Sequence, residues 1–235
     1  TPVSANETNL TTDVDALLAA VTEKTRILFL ANPNNPTGTY ISRSEMKRLH
    51  AGLKDDVLLV IDAAYSEYVE RDDYDNGVTL VESHDNVVMT RTFSKIYGLG
   101  GIRLGWAYCP ASVVDILHRV RGPFNVNSIA QAAGIGAVRD VEFTTRVRNH
   151  NTKWLPWTRN CLRELGLTVT DSIGNFILCA FESTEGSDAE AANQFLNRNG
   201  IIVRRMDSYG LPHCLRITIG TQAEMTTFID TIGRF

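Results

Sequence analysis

Two cations stand eight residues apart in the stretch Thr92-Phe-Ser-Lys95-Ile-Tyr-Gly-Leu-Gly-Gly-Ile-Arg103, which is glycine-rich and holds no acid. A buried ammonium is costly unless it is paired, neutralised or made to react. A desolvated lysine gives up its proton readily and can attack a carbonyl carbon to form a Schiff base, so Lys95 is a candidate nucleophile. Arg103 offers a planar fork suited to a phosphate, and Thr92 and Ser94 offer hydroxyls beside it. Taken alone, Lys95 is more often a lysine whose stem lies along the surface.

Two further loops carry polar groups at the ends of apolar runs. Asn32-Pro-Asn-Asn35-Pro-Thr-Gly38 follows Ile27–Ala31, and its prolines fix φ and remove donors, so the Asn35 amide can be held at one angle. A rigid turn with local side-chain bonds explains that loop about as well. Asp62-Ala-Ala-Tyr65 follows the run Val57–Ile61. An acid closing an apolar strand is expected at a low-dielectric site in need of a cationic or donor partner, although a helix cap also accounts for it. In an open α/β sheet, ligands bind beyond the carboxyl ends of the strands. Together the loops suit a cofactor with an aldehyde, a phosphate and a basic ring nitrogen. Lys95 takes the aldehyde, and Thr92, Ser94 and Arg103 take the phosphate. Asp62 keeps the ring nitrogen protonated so that the ring acts as an electron sink, and Tyr65 and Asn35 reach the ring hydroxyl. That cofactor is pyridoxal phosphate.

The elements that must position these loops alternate between helix and strand. A helix capped by Thr12 carries Val14, Leu17, Leu18 and Val21, and a second, opened by a Ser42/Glu45 capping box, carries Met46, Leu49 and Leu53. Val57–Ile61, Val87–Thr90 and Leu104–Cys109 are unbroken apolar strands, and a helix capped by Ser112 with Asp115 follows. Such strands separated by helices indicate a mostly parallel sheet covered on both faces, a three-layer α/β arrangement. After Asn127 a long helical stretch runs to about Leu165, with a break expected near Pro156. Leu167–Thr170, Phe176–Phe181, a helix capped at Ser187, Ile201–Arg205, Leu215–Ile219 and a helix capped at Thr221 then form an α+β pattern. Segment 183–187 reads as a loop. The expected division is a partial large domain over 1–150 and a small C-terminal domain over 151–235.

The 235 residues are 43% hydrophobic and 21% charged, the balance of an ordinary globular protein, with a net charge of −4. No basic run is present to meet a phosphate backbone, which disfavours nucleic acid. No apolar run is long enough to span a bilayer, and no signal peptide opens the chain. Cys109, Cys161, Cys179 and Cys214 are far apart, which fits free thiols in a reducing, cytoplasmic setting. The histidines are scattered and show no metal-ligand spacing.

On these motifs the chain resembles the fold-type I pyridoxal-phosphate aminotransferases over essentially its whole length. Asn32–Gly38, Asp62–Tyr65, Thr92-Phe-Ser-Lys95 and Arg103 are specific for the fold type. Pro123-Phe-Asn-Val-Asn127, Gly200-Ile-Ile-Val-Arg-Arg205 and Cys214-Leu-Arg-Ile-Thr-Ile-Gly220 favour its histidinol-phosphate branch more softly. The resemblance implies a cis Asn35–Pro36 bond and gives the cofactor residues the same roles. It also makes Arg216 the clamp for the substrate anion. Arg204 and Arg205 face opposite ways on a strand, so only one can be a second anion contact, and Arg204 is favoured. The implied activity moves an amino group between glutamate and imidazole acetol phosphate, both small molecules, in histidine biosynthesis. The implied assembly is a homodimer.

Against that resemblance the chain starts late. A glycine-rich turn, a ring-stacking aromatic and a tyrosine lent across the dimer have no counterpart here. Two expectations follow: an apolar sheet face or strand left unprotected, and weakened cofactor binding. A catalytically silent homologue, another aminotransferase or a phosphothreonine-type decarboxylase of the same fold are the other readings.

Overall fold

The computed structural model describes residues 1–182 and 184–235; Ser183, first residue of the expected 183–187 loop, lies outside the described residues. The chain divides into two compact units, one of residues 1–34 and 40–148 and the other of residues 35–39 and 149–235.

In the first unit, β1 (Ile27–Ala31), β2 (Leu58–Asp62), β3 (Val87–Thr92) and β4 (Gly105–Tyr108) form one sheet in that order. The first three are parallel, and β4 runs antiparallel to β3. The mostly parallel sheet is as expected, but β4 is an exposed edge strand rather than a buried one: Trp106 and Tyr108 are open. Around the sheet lie α1 (Val14–Ala19), α2 (Arg43–Ala51), α3 (Val78–Ser83), α4 (Ala111–Val120) and α5 (Ser128–Arg139). On one sheet face Leu28, Leu30, Leu59, Ile61, Val87 and Met89 pack with Met46 and Leu49 of α2 and Leu80 and Val81 of α3. On the other face Val60 and Val88 are buried, but Ile27 and Phe29 of β1 are 49% and 71% exposed. No residue of α4 is buried. The unprotected apolar surface expected above is therefore present.

In the second unit, β5 (Thr168–Val169), β6 (Phe176–Ala180), β8 (Cys214–Thr218) and β7 (Arg204–Arg205) form an antiparallel sheet in that spatial order. Ile177, Cys179, Leu215 and Ile217 pack on Leu162 of α6 (Val141–Glu164), Leu196 of α7 (Ala189–Arg198) and Phe228 of α8 (Gln222–Ile232). The unit's helices begin where local chemistry directs. Thr221 and Glu224 form a reciprocal capping box at α8.

Several ends differ from the sequence reading. Asp13, not Thr12, caps α1, and Asp188, not Ser187, caps α7, since a carboxylate one residue nearer takes the free N–H. Ser42 caps α2, but the Glu45 carboxylate turns to Arg48, so the box is only half formed. Pro110, without a side-chain cap, precedes α4. The long helix breaks at Asp140, whose carboxylate accepts the Phe143 N–H, while Pro156 is carried inside α6. Of the expected strand Ile201–Arg205 only Arg204–Arg205 is paired. Among the described residues no helix is long and apolar enough to cross a membrane.

Candidate functional site

Asp62 ends β2 and lies opposite Thr90 in the parallel register with β3. The Thr90 hydroxyl and the Ala64 N–H both reach its carboxylate, at 3.5 and 3.2 Å. Contrary to the expected low-dielectric site, Asp62 is exposed, because the carboxyl end of β2 opens at the sheet rim. Three residues on, Tyr65 is buried, and Lys95 places its Nζ 5.1 Å from the Tyr65 ring centre. A cation over an aromatic face is attracted by the ring quadrupole, and the contact fixes where the long lysine stem ends.

The phosphate candidates converge by hydrogen bonds. Thr92 Oγ1 accepts the Ser94 N–H at 3.0 Å. Arg103 Nη1 donates to Ser94 Oγ at 3.3 Å and to the Gly100 carbonyl at 2.8 Å. Arg103 has a φ of 59°, a left-handed conformation uncommon for a residue with a side chain. The strain folds the guanidinium back over its own loop and onto Ser94, a local cost of the kind met at ligand sites. Two hydroxyls and a guanidinium gathered at the end of β3 are suited to a phosphate. The donor set of this rim fits pyridoxal phosphate: phosphate donors, a lysine amine, a carboxylate and a phenol from adjacent strand ends.

Beneath the rim a second set of polar groups had no expected role. Arg91 of β3 pairs with Glu67 at 3.0 Å, with side chains only 14% and 8% exposed. Burial, with Glu67 adding to it, pushes the Tyr68 phenol up to about 12. Tyr74 is raised too, mainly by burial, and donates to the Asn32 carbonyl at 2.8 Å. The signal that could have marked Arg91 is an arginine at a strand position between two hydroxyl residues that face the rim.

The remaining candidates belong to the second unit. Asn32–Pro33 and Asn35–Pro36 are both cis, the latter as the resemblance implies. Asn35 Oδ1 accepts from Arg216 Nη1, so the asparagine assigned to the ring hydroxyl is bound to the anion clamp. Gly38 has a φ of 73°, and a Cβ there would lie 2.1 Å from Ser172 Oγ, so only glycine lets this loop close. Arg216 stacks 4.9 Å over the buried Phe176 ring, a support that sequence reasoning missed. Arg204 is the register partner of Arg216 and shares its sheet face. Arg205, on the opposite face, is held by Glu190 and Asp207. A cavity of about 1050 Å³ beside β7 and β8 is lined by Arg204, Arg216, Asn193 and Thr227 among others.

Residues 2–232 match the family "Aminotransferase class I and II". The chain belongs to that family. A histidinol-phosphate aminotransferase of Paramagnetospirillum magneticum is 57% identical over the whole chain, and one of Rhodospirillum centenum is 59% identical over 99% of it. The chain spans 65% and 64% of the length of these two relatives. The structure of histidinol-phosphate aminotransferase from Sinorhizobium meliloti in complex with pyridoxal-5'-phosphate has a TM-score of 0.88 at 28% identity, over 100% of this chain and 63% of that one. The mostly parallel sheet and the small antiparallel one are thus an aminotransferase fold.

Proposed function

We propose that the chain is a pyridoxal-phosphate-dependent aminotransferase acting on histidinol phosphate and 2-oxoglutarate, yielding imidazole acetol phosphate and glutamate in histidine biosynthesis. The observation that carries the reading is the rim of the first unit, where Lys95, Asp62 and the Thr92–Ser94–Arg103 group close adjacent strands. The substrate pair is supported by identities of 57% and 59% to histidinol-phosphate aminotransferases.

Bound pyridoxal phosphate supplies an electron sink for the amino-acid Cα. Thr92, Ser94 and Arg103 bind its phosphate. Asp62 holds a proton on the ring nitrogen, and Tyr65 and Asn35 orient the ring oxygen. Lys95 would hold the cofactor's aldehyde carbon. With its Nζ free, Lys95 would take the proton from the substrate Cα and return it, as general base and then acid. Arg216 clamps a substrate carboxylate or phosphate, with Arg204 on the same sheet face as the second cation. Residues 1–150 serve as the cofactor part and 151–235 as the small domain.

A homodimer belongs to the same proposal, supported by the apolar surface open on β1 and α4. So does a cytoplasmic setting, which the four free cysteines support.

Borohydride reduction of the chain mixed with pyridoxal phosphate, followed by peptide mass analysis, tests the cofactor. The expected result is one adduct, on Lys95, absent in Lys95→Ala. Glutamate and imidazole acetol phosphate then test the reaction, with histidinol phosphate as the expected product. An adduct without turnover refutes the activity and leaves cofactor binding standing.

A further inference from the structure

Lys95 and Tyr65 meet although they stand on separate turns, each three residues beyond its strand end. The ladder between β2 and β3 sets the strands but not the turns beyond them. The polar group beneath the rim joins those turns. Arg91 Nε and Nη2 both reach Glu67 Oε1, at 3.1 and 3.0 Å. Glu67 lies two residues after Tyr65, and Arg91 four before Lys95. Ser66 donates to the other Glu67 oxygen at 3.5 Å. Trp106, opposite Arg91 in the β3–β4 register, covers the guanidinium at 5.6 Å. Arg148 of α6 donates to the Glu67 carbonyl at 2.8 Å.

A buried ion pair is a poor source of stability, because desolvation offsets much of its attraction and apolar residues of similar volume often do as well. A two-pronged arginine contact does set direction. We propose that Glu67 and Arg91 are positioning residues, whose buried pair holds the Tyr65 turn against the Lys95 turn and keeps the Lys95 amine over the Tyr65 ring. Neither is among the residues assigned above to cofactor or substrate. The role of that amine rests on the function proposed above; its placement does not.

The test uses the full chain without cofactor. Acylation of Lys95 is timed against the exposed Lys24 and Lys47 in the same sample. The paired variant Glu67→Leu with Arg91→Met removes both charges and leaves neither one buried alone. The expected result is Lys95 labelling about 10-fold faster relative to the references, with about 10-fold less pyridoxal phosphate fixed by borohydride, at an unchanged melting temperature. Arg91→Lys, which keeps the charge and loses the fork, falls between the two. An unchanged labelling ratio overturns the proposal. So does a lowered melting temperature with the faster Lys95 labelling lost on cooling well below it, since the pair then serves stability alone. If the unaltered chain fixes no pyridoxal phosphate, the function proposed above fails, while the labelling ratio still decides the positioning role.

Discussion

In the second unit Ile177, Cys179, Leu215 and Ile217 fill one side of the sheet, and Phe176, Leu178 and Cys214 are as deeply buried on the other. In the first unit Leu59, Ile61, Val87 and Met89 are equally buried on one face, yet Phe29 on the opposite face and Val120 on α4 are 71% and 72% exposed. Both units draw on the same apolar vocabulary, so composition does not separate them. The contrast lies in what stands opposite each strand. Apolar surface left open is a place where proteins associate, and it lies on the unit that carries Lys95.

The largest effect expected is in the closed interior. Ile177→Ala should lower stability by about 2–4 kcal/mol in urea unfolding, through lost transfer energy and an unfilled cavity. A loss near zero would mean that the second unit is loosely packed, and the contrast would fail.

Next come the thiols. Burial pushes Cys179 up to about 12 and Cys214 up to about 11, while Cys109 and Cys161 lie partly open. A disulfide reagent near neutral pH should label Cys109 and Cys161 first, and the other two slower by about 100-fold. Equal rates would show that the second interior opens readily.

A smaller effect appears at high pH. The folded Tyr68 titrates at about 12 against an ordinary value of 10.0, so its contribution is complete below about pH 10. It is then lost as pH rises towards 12, because the unfolded chain releases the proton first. Tyr68→Phe should flatten the fall in stability between those values by about 1–2 kcal/mol, as followed by melting temperature against pH. An identical slope in the variant would place the loss elsewhere.

Smallest is the open face. Phe29→Glu should change stability by no more than about 0.5 kcal/mol while weakening association in sedimentation. A large loss of stability would mean that this face is covered within the chain.

Much of the candidate site was legible because its chemistry is local. Thr92, Ser94, Lys95 and Arg103 lie in one loop, and hydrogen bonds between loop neighbours join Ser94 to Thr92 and Arg103. Asp62 could be placed at a strand end from the apolar run before it, but its exposure could not, since that depends on what lies above the rim. The exact caps were misread wherever two competent residues adjoin, as at Thr12–Asp13 and Ser187–Asp188. The helix α3, short and without a side-chain cap, left no pattern to read.

By itself the sequence determined the strand-and-helix alternation, the types of the reactive groups and the loops that hold them. Period, propensity and turn chemistry act over a few residues. Only the tertiary structure decided that β4 turns antiparallel and lies open, that Arg204 rather than Arg205 shares a face with Arg216, and that Glu67 meets Arg91. Those facts depend on register and on partners distant in the chain, which no local pattern encodes.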